Sequence, residues 1–202
     1  MTYNEQQWAG KLLDCLNQLG QQHTNAVLLS LDGAQSIKPY QRYPETAYCF
    51  AEDHWRAFYH SHGAQTGEAH EHGHFHFFTR LDRQDDWAHV VALGMDGYGQ
   101  PIEMYTTNKW VTGGAWFEPA HARAAFARLE SSEDEPLPLS WFKYILLLFQ
   151  DEIHDLLINR DRQLLTLFAR DREQGFLDRS IYYLSSMQLN LNAQLMQKFS
   201  TQ

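Results

Sequence analysis

The chain has 202 residues, 44% of them hydrophobic and 20% charged, and a formal net charge of −9. This is globular composition, and a chain of this length buries a core without disulfide or metal staples. The acidic balance and the lack of any basic run exclude nucleic-acid binding as an expected function. The most apolar run, YILLLF at 144–149, is too short to span a bilayer.

The first predicted element is an amphipathic helix over 4–19, with Trp8, Leu12, Leu13, Leu16 and Leu19 at helical spacing and Gly20 as its stop. AVLLSL (26–31) predicts a short strand, and residues 32–47, with Gly33, Pro39 and Pro44, predict a loop. WRAFYHSH (55–62) reads as a strand with Phe58, His60 and His62 on one face. A loop with two glycines, 63–69, leads into AHEHGHFHFFTRL (69–81), a strictly alternating strand. His70, His72, His74 and His76 share one of its faces; Glu71, Gly73, Phe75 and Phe77 share the other. WAHVVALGM (87–95) and PIEMYTTNKWV (101–111) flank the turn DGYG and predict a hairpin.

After Trp116 the pattern turns helical. PAHARAAFARLE (119–130) predicts a helix with Pro119 in its first turn, and SSEDEPLP (131–138) a polar linker. Helices are then expected over 140–159, 162–173 and 177–198, with a break near Gly175. Strands followed by helices predict an α+β fold: a small antiparallel sheet with a histidine-rich face, an N-terminal helix and a C-terminal helical bundle. One domain over 1–202 is expected, divided into the N-terminal helix (1–20), a mainly antiparallel sheet (26–116) and a helical region (119–199).

Six of the eleven histidines lie between 60 and 76. Alternate residues on a strand stand about 6.6 Å apart and point the same way. Imidazoles at that spacing can converge on one metal ion at about 2.0–2.1 Å per bond. Phe75 and Phe77 would anchor the same strand in the core. The expected ligands are His72, His74 and His76, with His60 and His62 next and His70, nearest the loop, the weakest. Neutral imidazole suits zinc, iron or copper, so a divalent transition metal is the expected cofactor. The bland alternatives are an exposed polar tract and metal-free histidine chemistry.

A ligating histidine usually gives its second nitrogen to a carboxylate or carbonyl. Glu71 would need a local bulge to serve. Glu103, Thr106, Thr107 and Asn108 lie on a strand expected to neighbour it and are candidate orienting groups. His89 is set apart from the isolated His23, His54 and His121 because its strand is expected beside the histidine strand. Asp151 and His154, three apart on a helix, lack a second such pair and read as helix surface. Cys15 and Cys49 form no CxxC pair and read as small apolar residues. The opening MTYNEQQWAGKLLDCLNQLG has neither the basic start nor the apolar core of a secretory signal. With unpaired cysteines, this makes the cytoplasm the expected location.

HGHFHFF (72–78) is similar to the histidine-triad pattern, and that resemblance implies a nucleophilic His74 attacking a nucleotide phosphate. FYHSH (58–62), EHGHFHFF (71–78), TTNKWVTG (106–113), INRD (158–161) and LDRSIYYLS (177–185) together resemble an uncharacterised bacterial family, the domain-of-unknown-function family 6969. That resemblance implies that both histidine clusters, the Thr-Thr-Asn-Lys-Trp stretch and the tail belong to one unit; it names no metal. Three functions stand open: a metal-binding protein with a multi-histidine site on the sheet, acting as a metal-dependent enzyme whose substrate the sequence does not identify; a non-catalytic metal buffer or delivery protein; and a histidine-triad-like nucleotide phosphoester hydrolase. The expected partners are a metal ion and a small molecule, not nucleic acid or membrane.

Overall fold

The computed structural model describes residues 3–62, 71–168 and 171–200. Its strands are β1 (Tyr43–Phe50), β2 (Trp55–His60), β3 (Gly73–Thr79), β4 (Ala88–Met95), β5 (Pro101–Thr107), β6 (Ala115–Trp116) and β7 (Tyr183–Gln188). They form one sheet in the order β1-β2-β3-β4-β5-β7, antiparallel throughout, with the short β6 added in parallel to β4. The helices are α1 (Tyr3–Gln21), α2 (Ala26–Leu31), α3 (Lys109–Thr112), α4 (Ala122–Ser131), α5 (Leu139–Leu148), α6 (Gln150–Leu167), α7 (Arg172–Leu177) and α8 (Leu191–Ser200). The fold is α+β, as the order of patterns predicts.

The two-residue period of the strands sorts side chains onto two faces. On the back face Phe75 and Phe77 of β3 meet Phe142 of α5, with ring centroids 5.0 and 5.4 Å away. Trp55 of β2 packs on Phe126 of α4 at 5.4 Å. The Ser185 hydroxyl of β7 donates to the Leu156 carbonyl of α6. Helices therefore cover this face, and full burial of a Phe there is worth about 1.5–3 kcal/mol over exposure. The front face carries the histidines. The register pairs Phe58 with His76 and His60 with His74.

A bulge in β4 alters which residues reach the front. Phe77 pairs with Val91, but Phe78 pairs with His89, so Val90 is the extra residue. Val91 and Leu93 stand opposite Phe77 and Phe75. By simple alternation His89 would join them at the back. The bulge turns it to the front, as bulges beside functional sites do.

Several predicted elements change. AVLLSL is not a strand: it is α2, opened by Asn25, whose side chain accepts from the Leu28 N–H at 2.8 Å, and closed by Asp32 at φ 46°. A six-residue run with five apolar residues does not distinguish a strand from a buried helical turn, and the capping Asn decides it. The end of the expected loop at 32–47 is the start of β1, an edge strand that tolerates Pro44. The expected helix at 140–159 divides at Phe149 into α5 and α6. The expected helix at 177–198 is replaced by β7 and α8, so the tail is no pure helical bundle. β7 pairs with β5, and its side chains alternate between buried and exposed only weakly.

Candidate metal centre

His60, the last residue of β2, faces His74 and His76 across the β2–β3 pairing. Their Nε2 atoms form a triangle with edges of 2.7 Å (His60–His74), 3.1 Å (His74–His76) and 3.3 Å (His76–His60). Three nitrogens bound at about 2.0–2.1 Å to one ion stand roughly 2.9–3.3 Å apart, depending on the angle. The two longer edges fall within that span and the His60–His74 edge is slightly shorter. His74 and His76 are buried and His60 is half-buried.

The opposite nitrogens of His74 and His76 are held. His74 Nδ1 lies 2.5 Å from Glu71 Oε1. When Glu71 is ionised its carboxylate only accepts, which puts the proton on Nδ1 and leaves Nε2 a bare lone pair. His76 Nδ1 lies 2.9 Å from His89 Nε2, and His89 Nδ1 lies 3.4 Å from Thr107 Oγ1. A proton on His76 Nδ1 thus obliges His89 to carry its own on Nδ1, toward Thr107. Such partners fix the tautomer and orientation of metal-ligating imidazoles.

All these rings are neutral at pH 7. Burial, then the charge of His74, holds His60 down to about 3. Burial, then His62, holds His74 at about 3. Burial and the surrounding histidines hold His76 well below its ordinary value. Burial and then Arg160 hold His89 at about 3. Neutral imidazoles whose lone pairs point at one another repel unless a cation sits among them.

Comparison with known proteins adds one finding. The chain matches Domain of unknown function (DUF6969) over residues 6–189. It belongs to that family. No curated protein and no solved structure matches it. Several of the segments that carry the resemblance to DUF6969 meet at the centre. Trp110 donates from its indole N–H to the Ile181 carbonyl, and Tyr182 places its hydroxyl 3.2 Å from His62 Nε2. INRD supplies Arg160, whose guanidinium lies 3.8 Å over Trp116 and donates to the Phe117 carbonyl.

The remaining expected residues are distributed around this DUF6969 site. The strict alternation expected across Gly73 is not kept. His72 lies outside β3, is exposed, and places its Nδ1 2.8 Å from the Tyr59 hydroxyl, toward the back of the sheet. Glu71 takes the place near His74 that an ideal strand denies it. A side chain at Gly73 would fall on the Tyr59 hydroxyl and the His60 carbonyl, so the close approach there requires glycine. His62 lies beside the triangle, its ring 4.8 Å from His60 and 5.2 Å from His74. His70 lies outside the described residues. Glu103 pairs with Gly94 on β4. Thr106 bonds to Ser185, and Asn108 caps α3 and donates to the Gly175 carbonyl, so of this run Thr107 alone meets the histidine relay. Asp151 and His154 line a separate cavity with Arg123.

Beside the triangle opens a cavity of about 490 Å³. His60, His62 and His76 form one wall, and Tyr40, Phe58, Phe78, Trp110 and Tyr182 are its aromatic lining. Arg42 also lines it. Sequence reasoning did not single out Arg42, which sits in no motif. Its only signal is its place just before a strand.

Proposed function

We propose that this protein binds one divalent transition-metal ion through the Nε2 atoms of His60, His74 and His76, and that it is a metal-dependent enzyme acting on a small molecule. The observation that carries this reading is the triangle of three imidazole nitrogens, none more than 3.3 Å from another. Zinc, iron and copper all suit a three-imidazole donor set. Three protein ligands beside a cavity is the arrangement of a catalytic site; a structural or storage site is closed by a fourth. Such an ion supplies Lewis acidity, or oxygen chemistry if it is iron or copper. The two free cysteines, one of them exposed, support a reducing cytoplasm as its location.

His62 favours a second reading. If its ring turned from Tyr182 to the ion, a four-histidine site would result, suited to a buffer or delivery protein. Nothing in the geometry favours the nucleotide-hydrolase reading, because His74 Nε2 faces two other imidazole nitrogens.

Elemental analysis of untagged protein tests the proposal. About one metal per chain is expected, lost in His60→Ala, His74→Ala and His76→Ala and kept in His62→Ala. Absence of metal after reconstitution with zinc, iron(II) and copper(II) would overturn it. Loss in His62→Ala as well would shift the reading to the closed site.

A further inference from the structure

The triangle occupies one end of a strip on the front face. Along β2 the strip runs His60, Phe58, Arg56; along β3 it runs His74, His76, Phe78. Phe58 and Phe78 stack with centroids 5.5 Å apart, and Phe58 is also 5.5 Å from His76. The Arg42 guanidinium lies 4.7 Å over Phe58. That of Arg56 lies 6.0 Å from Phe58 and 5.7 Å from both Phe78 and Trp87. Arg42 lines the cavity of the histidines, and both arginines line an adjoining groove of about 250 Å³. Metal centre, aromatic floor and guanidinium pair thus form one continuous surface.

The guanidinium end lacks a counter-charge. Among the described residues, neither Arg42 nor Arg56 has a carboxylate within ion-pair distance. Asp86 lines the groove without pairing to either. The Arg56 Nε is buried with no hydrogen-bond partner among the described residues. Burial and then the charge of Arg42 press on Arg56, lowering its pKa. A buried donor left without a partner is destabilising, and two like charges add to that. At the other end, three neutral ligands leave the charge of a divalent ion uncompensated. On a chain of net charge −9, this surface thus carries two guanidinium groups without an ion-pair partner among the described residues.

We propose that the cavity binds an organic carboxylate with a flat apolar body. The body lies on Phe58 and Phe78, the carboxylate pairs with Arg42 and Arg56, and the far end meets the metal centre. The planar carboxylate matches the guanidinium fork, and the aromatic floor matches the body. As a substrate class this rests on the metal-enzyme reading; as a binding site it does not.

Calorimetry with 2-naphthoate, 2-naphthamide and 2-naphthyl phosphate tests it, on metal-free and zinc-reconstituted protein. 2-Naphthoate is expected to bind more tightly than the amide or the phosphate ester. Arg42→Gln and Arg56→Gln should each weaken it at least about tenfold. Both variants should keep their zinc content and melting temperature, which separates lost binding from lost folding. Equal binding of amide and carboxylate, or full affinity in both arginine variants, would overturn the proposal while leaving the metal reading intact. Tighter binding of the phosphate ester would overturn the carboxylate class. Arginine-dependent naphthoate binding by a protein that retains no metal would sustain the anion site and remove the metal-enzyme reading.

Discussion

Glu71 Oε1 stands 2.5 Å from His74 Nδ1, directly behind the nitrogen that faces the triangle. A carboxylate in that position raises the basicity of the ligand and holds its ring. Replacing such a partner typically lowers metal affinity about 10–100-fold. Glu71→Gln should show that loss in competition with a chromophoric chelator, with the fold intact. Wild-type affinity in Glu71→Gln would make the carboxylate a bystander.

Gly94 reaches the same carboxylate from the neighbouring strand. A Cβ there would lie 2.9 Å from Glu71 Oε2, too close for the carboxylate to keep its place. Gly94→Ala should therefore weaken metal binding toward the level of Glu71→Gln although it touches no ligand. Because both changes act through one contact, the double variant should be little weaker than either single one. Additive losses in the double variant would show that Gly94 acts by another route.

His72 and His76 differ by four residues and should differ sharply in effect. His72→Ala removes an exposed ring bonded to Tyr59 and should leave metal content unchanged. His76→Ala should abolish it. His89→Ala should fall between, because it frees His76 Nδ1 without removing a ligand. Elemental analysis of the three variants side by side decides the order, and loss of metal in His72→Ala would contradict it.

Stability of the metal-free protein should depend steeply on acid. His60, His74 and His89 are held at about 3, and His76 well below its ordinary value, against 6.5 when unfolded. The unfolded chain thus binds more protons from pH 6.5 downward to about 3, so stability is full above that window and is lost as pH falls through it. Each histidine contributes a slope of about 1.4 kcal/mol per pH unit. Glu71, pushed by burial from 4.5 to about 7, has the opposite sign over that interval and offsets one histidine. Urea midpoints measured from pH 7.5 to 4.5 should fall continuously below about 6.5. A flat profile would show that these rings are already solvated.

The histidine-bearing strand was legible because its two-residue period needs no tertiary information. His74, His76 and their backing phenylalanines follow from alternation alone, and His60 from the same rule one strand earlier. The departures are places where one residue breaks the period. Gly73 ends the pleat, which sends His72 away and brings Glu71 in. Val90 is the extra residue that turns His89 to the front, which no count along β4 shows. AVLLSL and the tail strand β7 were misread for a different reason. Each is a short segment whose state is decided by a partner: the Asn25 cap in one case, the β5 edge in the other. Arg42 and Arg56 belong to no pattern and acquire meaning only beside the aromatic strip.

The pairing of β2 with β3 has a consequence for how the protein is made. All three nitrogens of the triangle come from neighbouring strands joined by one connection, whereas the cavity wall waits for Trp110 and Tyr182. On the ribosome the ligand-bearing hairpin emerges well before that wall. The three clustered imidazoles are thus synthesised before the aromatic wall of the cavity beside them is complete.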